Sequence, residues 1–118
     1  MINFWFTACA PCIDELPILN KLTKKYSDQV NFISITFDDK SKVLKFNEKY
    51  EFDFDQFIDA EDYINKLNIG AYPTSLFLDR DGIVKHAEGG VPYLVENGKR
   101  EIGNGKEFER IINELLDK

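Results

Sequence analysis

Ile2-Asn3-Phe4-Trp5-Phe6 runs into Thr7-Ala8-Cys9-Ala10-Pro11-Cys12, and the reading of this junction decides the fold. The apolar, aromatic-rich run 2–6 reads as a buried strand. From Cys9 the pattern turns helical: Cys12, Leu16, Leu19, Leu22 and Tyr26 recur at steps of three or four and form one apolar face. A helix beginning at Cys9 puts the two sulfurs about one turn apart, within bridging reach. The positive end of its dipole favours a thiolate at Cys9. A thiol of lowered pKa beside a second thiol is what reversible thiol–disulfide exchange requires. Pro17 falls inside this helix and cannot donate to the carbonyl of Ile13, so a kink is expected there.

Beyond the junction, Val30 to Phe37 reads as a strand with apolar residues on both faces, as in a sheet covered on two sides. Residues 41–50 read as a helix with Val43, Phe46 and Tyr50 on one face; Phe54 to Ile58 reads as a short strand, and 60–67 as a short helix. Ser75 to Leu78 and Ile83 to Ala87 flank the turn signal Asp79-Arg80-Asp81-Gly82, which makes them an antiparallel hairpin. Phe108, Ile111, Ile112, Leu115 and Leu116 mark a final amphipathic helix, with Asn104 as its expected cap and Glu107 three residues on. The order β-α-β-α-β-α-β-β-α predicts a mixed α/β sheet: a parallel βαβ half extended by an antiparallel hairpin, flanked by helices.

The chain has 118 residues, which fits one domain spanning 1–118. Its net charge of −6 argues against nucleic acid as a partner, because such binding needs a basic face. No apolar run approaches the ~20 residues of a membrane span, and no secretion signal is visible. Met1 abuts the first strand directly, so a preceding strand and any targeting segment are expected to belong to a longer parent chain. Two cysteines are too few for a disulfide scaffold, and with His86 as the only histidine they do not make a closed zinc site. No metal is expected.

A C-x-x-C at a strand-to-helix junction in this pattern resembles the thioredoxin superfamily. Trp5 four residues before Cys9, Pro17 five after Cys12, and Tyr72-Pro73-Thr74 ahead of the strand at Ser75 carry the resemblance along almost the whole chain. Asn3-Phe4-Trp5 followed by Cys9-x-x-Cys12-x-x-Glu15-x-Pro17 looks most like the extracytoplasmic TlpA/ResA-like branch. Asn3 in place of the buried Asp of cytosolic thioredoxins, and Ala8 in place of their Trp, point the same way.

The resemblance implies a thiol–disulfide oxidoreductase whose redox group is the Cys9–Cys12 disulfide itself, with no other cofactor. Cys9 is the expected nucleophile and the more exposed sulfur; Cys12 resolves the mixed disulfide. Ala10-Pro11 supplies no charge between them, which leans toward a reductant. The resemblance makes Glu15, one turn past Cys12, the expected proton acceptor for that thiol; spacing alone favours an acidic residue placed near a helix start. Pro73 is expected to be cis, with Trp5, Tyr72, Pro73 and Thr74 lining the substrate side; for Trp5 and Tyr72 the alternative is packing. Asn3 reads as a buried hydrogen-bonding residue and His86 as a solvent-facing strand residue.

Expected partners are protein disulfides and an upstream thiol electron donor, met outside the cytoplasm by a monomer whose parent protein is anchored or secreted. The alternatives weighed are an oxidant or isomerase on the same fold, a thiol peroxidase, a copper-handling protein and a non-enzymatic binding module. Thr7 lies two residues before Cys9 rather than three, and Arg80 is the first arginine, which disfavours the peroxidase. The run Asp53, Asp55, Asp59, Glu61 and Asp62 lacks a calcium-loop pattern and reads as a solvated loop. The stretch 91–103 is longer than thioredoxins usually have before the last helix. Asn97-Gly98 within it signals a hairpin, either a partner contact or a tolerated insertion.

Overall fold

Apolar side chains cover both faces of a central sheet and form two cores, one on each face. In the computed structural model, which describes residues 1–117, Ile2–Phe4 forms β1 and Ile33–Ile35 forms β2. Asp55–Phe57 forms β3, and Thr74–Leu78 and Val84–Glu88 form β4 and β5. Their order is β3-β2-β1-β4-β5. The β1–β2 and β2–β3 pairs are parallel, and β1–β4 and β4–β5 antiparallel. This is the expected mixed sheet.

The pairing puts Asn3 between Ser34 of β2 and Ser75 of β4, and the three make a polar row in the middle of the sheet. On the opposite face of β1, Phe4 packs with Ile35 and Ile64 in the smaller core. The larger core joins Trp5, Cys9, Cys12, Leu16, Leu19, Phe77, Phe108 and Ile111. Phe108 is fully buried and meets the Phe77 ring edge-on at 5.2 Å between centroids. Burying an aromatic ring of this size is among the largest single contributions to such a core.

The helices are α1 (Ala10–Asp14), α2 (Leu16–Tyr26), α3 (Lys40–Lys49), α4 (Glu61–Lys66) and α5 (Lys106–Leu116). The helix expected from Cys9 to Tyr26 is therefore two helices, broken at Glu15. Pro17 is the cause: it lacks the N–H that would bond Ile13, and Glu15 ends α1 while its carbonyl accepts from Ile18 and Leu19 at the start of α2. Two further strands, β6 (Tyr93–Glu96) and β7 (Lys99–Ile102), form a separate hairpin turned at Asn97-Gly98.

Two expectations need correction. Both the 2–6 and 30–37 strands are shorter in the structure, although Trp5 N–H still donates to the Ile35 carbonyl and extends the pairing. The α5 cap is Gly105 at φ 74°, not Asn104; a Cβ at that position would lie 2.4 Å from Ile18 Cγ2, so only glycine fits. Asn104 Oδ1 instead accepts from Lys106 N–H just outside, and Glu107 pairs with Arg110.

Candidate active site

Cys9 ends the strand-to-helix turn as the N-cap of α1. Its Sγ accepts from Cys12 N–H at 3.2 Å, so one free amide of the helix start already points at the sulfur. The same arrangement would stabilise a thiolate there. Cys9 and Cys12 are joined by a disulfide, with Cα atoms 5.2 Å apart. Both residues are 3% exposed, so the expected greater exposure of Cys9 is not seen in this oxidised form. The bridge itself draws both sulfurs against the core.

The turn before Cys9 is held by two bonds. Cys9 N–H donates to the Phe6 carbonyl at 3.2 Å, and Thr7 N–H donates to Asp38 Oδ2 at 2.7 Å. Asp38 sits just past β2, is buried, and was not singled out by sequence reasoning. Its signal, an acidic residue closing an apolar strand, is too common to read alone.

Glu15 lies three residues past Cys12, at the break between α1 and α2, and is 1% exposed. Its Oε1 accepts from Asn3 Nδ2 at 3.1 Å, and its Oε2 from Val91 N–H at 2.9 Å. Burial pushes the carboxyl up to about 7, against the opposing pull of the Val91 and Asn3 donors. Asn3 is the buried hydrogen-bonding residue expected, and it also donates to Ser75 Oγ at 3.0 Å. Val91 could not be found from sequence, because it acts through its backbone.

The Tyr72–Pro73 peptide bond is cis. Pro73 packs against Gly90, whose φ of 133° no side-chain-bearing residue adopts readily. A Cβ there would meet Pro73 Cγ at 2.9 Å and Glu15 Oε2 at 3.3 Å. Tyr72 is half-buried and shares an aromatic cluster with Phe6 and Phe37. Thr74 donates its hydroxyl to the Ala71 carbonyl at 2.7 Å and so closes the turn around Pro73.

The structure thus brings Glu15 and Pro73 together through Gly90 and buries Trp5 in the larger core. Trp5 is 1% exposed and packs against Phe46 and Phe52, at 4.8 and 5.3 Å between ring centroids. Its place is core, the alternative to site wall, because it follows Phe4 just past the end of β1 and takes the opposite face, into the larger core. His86 is half-buried, its Nε2 3.6 Å from Glu114 Oε1 of α5 rather than in solvent. Asp14 accepts the Tyr93 hydroxyl at 2.8 Å. Among the described residues no group of three or more His, Cys, Asp or Glu is placed to hold a metal ion, and no helix is long and apolar enough to cross a membrane.

The profile of the AhpC/TSA family matches residues 1–87, from β1 into β5. The chain belongs to that family. The thioredoxin-like protein YneN of Bacillus subtilis is 33% identical over 89 residues, covering 72% of this chain and 52% of YneN. The thiol-disulfide oxidoreductase ResA of Geobacillus kaustophilus is 37% identical over 87 residues, covering 71% and 50%. The chain spans about half the length of these curated relatives, which agree with the ResA-like resemblance.

Among solved structures, a putative thiol:disulfide interchange protein DsbE from Chlorobium tepidum superposes with a TM-score of 0.78 at 21% identity, covering 98% of this chain and 77% of that one. A secreted Mycobacterium tuberculosis disulfide oxidoreductase gives 0.72 at 21% identity, covering 95% and 78%. These neighbours bear out the thioredoxin-like fold.

Proposed function

We propose that this chain is a thiol–disulfide oxidoreductase domain that reduces protein disulfides through Cys9 and Cys12. The observation that carries the reading is the Cys9–Cys12 bridge at the start of α1 together with the buried Glu15 carboxyl one turn on. In the reduced protein, the Cys9 thiolate attacks one sulfur of a substrate disulfide. A Cys9–substrate bond forms, the substrate S–S bond breaks, and the leaving thiolate takes a proton from solvent. Glu15 then accepts the Cys12 proton, and the Cys12 thiolate attacks Cys9 Sγ. The intramolecular disulfide forms, the second substrate thiol leaves, and two electrons have passed from the dithiol to the substrate.

A carboxyl held near 7 suits this exchange, since it takes up a proton and releases it again near neutral pH. Tyr72, Pro73 and Thr74 are the residues on which the substrate chain rests. The redox group is the disulfide alone, and an upstream thiol donor regenerates the dithiol. We infer action outside the cytoplasm, a reading supported by the secreted disulfide oxidoreductase among the structural neighbours.

The test is a trapping experiment. Reduced Cys12→Ser protein incubated with insulin, a disulfide-bonded protein probe, accumulates a covalent adduct that dithiothreitol reverses; Cys9→Ser does not. Adduct from neither variant, or from Cys9→Ser alone, contradicts the proposal.

A further inference from the structure

The family profile ends at residue 87, before the β6–β7 hairpin. A two-stranded hairpin by itself is at best marginally stable in water. This one carries Leu94 and Val95 with 61% and 72% of their surface exposed, so little of its apolar surface is buried. Its position is set by a few contacts at its base. Gly103 N–H donates to the Pro92 carbonyl at 2.8 Å and closes the stem. Val91 N–H reaches Glu15, and Gly90 lies against Pro73 and the same carboxylate. The Tyr93 hydroxyl donates to Asp14 Oδ2 at 2.8 Å, and the Arg100 guanidinium stacks over the Tyr93 ring at 4.0 Å. Asp14 is the last residue of α1, the helix that carries Cys12.

We propose that Tyr93 is a positioning residue: through Asp14 it ties the hairpin to the active-site helix, which keeps Val91 and Gly90 over the Glu15 carboxyl and water away from it. The proposal rests on Glu15 being the proton acceptor of the exchange. The contacts about that carboxyl, Asn3 from β1 and Gly90 and Val91 ahead of β6, do not titrate, nor do Ser75 of β4 and Pro73 beyond them. The titratable groups next to it are Asp14 at the end of α1, Tyr93 on β6 and, in the reduced protein, Cys9 and Cys12; Lys21, Lys24, Lys25 and Tyr26 of α2 and Glu96 of β6 lie further along those elements. With the clasp open, the carboxyl loses its Val91 donor and gains water; because burial is the larger influence on it, hydration outweighs the lost donor.

Tyr93→Phe removes only the hydroxyl. In the oxidised protein its Val91 amide exchanges with solvent about tenfold faster, as expected for loss of one charge-assisted hydrogen bond. In the reduced protein the pH midpoint for reduction of oxidised glutathione moves downward. Asp14→Ala reproduces both effects; Asp14→Asn, which keeps an acceptor for the hydroxyl, restores values near the wild type. Val91 exchange at the wild-type rate in both Tyr93→Phe and Asp14→Ala overturns the clasp. Faster exchange with an unmoved midpoint overturns its effect on the chemistry. Glu15→Gln separates the two ideas: if it leaves the wild-type pH profile intact, Glu15 is not the acceptor, whatever the Val91 amide reports.

Discussion

The Asn3 side-chain amide donates to Glu15 Oε1 at 3.1 Å and, from the same nitrogen, to Ser75 Oγ at 3.0 Å. A neutral donor on β1 thus holds a buried carboxyl against the middle of the sheet. Asn3→Ala removes a donor that favours the charged form, so the pH midpoint of thiol–disulfide exchange rises. Asn3→Asp sets a second carboxylate against the first and raises it further. Rates of oxidised glutathione reduction from pH 5 to 9 check the order wild type, Ala, Asp.

The buried carboxyl also makes stability depend on pH. Its folded value of about 7 lies above the ordinary 4.5, so the folded protein holds the proton more tightly than the unfolded chain. That contribution is fully present below about 4.5 and is lost as pH rises through 7. Its size is on the order of 3 kcal/mol. The Glu15→Gln protein therefore gains on the wild type by about this amount between pH 4.5 and 8. Urea unfolding of both oxidised proteins at the two pH values measures the difference.

Gly90→Ala places a methyl into Pro73 and the Glu15 carboxyl in a backbone conformation that disfavours it. We expect a loss of about 1–3 kcal/mol of stability. Activity falls as well, because either Glu15 or the loop at Pro73 must move. Gly98→Ala also sits at positive φ but meets no atom within 4 Å, so it costs backbone strain without the loss of activity. Thermal melts and glutathione reduction of the two variants separate the effects.

Phe108→Ala empties the space between α5 and β4, on the Phe77 side of the larger core, and costs about 3–5 kcal/mol. Chemical denaturation shows the loss, while the exchange rate per folded molecule stays at the wild-type value.

Much of this architecture is legible in the residues. Cys9, Cys12 and the aromatic run before them mark the junction, and the Asp79–Gly82 turn fixes the β4–β5 hairpin. The 108–116 stripe marks the last helix. What escaped has physical reasons. Pro17 signals a kink, but the complete break at Glu15 depends on how two helices share one residue. Trp5 reads equally as site wall or core until its β1 neighbours show which face it takes. The Asn104 cap fails because a close contact with Ile18, distant in sequence, requires glycine at 105. Val91 and the Tyr93–Asp14 bond join segments more than seventy residues apart. One of the two acts through a backbone amide that carries no residue signature.

The reducing role of the Cys9–Cys12 pair is tested first by its reduction potential, read from Trp5 fluorescence in buffers of fixed thiol–disulfide ratio. Trp5 is the only tryptophan and shares the larger core with both cysteines, so it reports their state. A reductant fed by an upstream donor shows one reversible two-electron transition near or below about −250 mV, and that is the expected result. A transition near about −120 to −150 mV would make the protein an oxidant or isomerase, and the absence of any reversible transition would remove the redox function altogether.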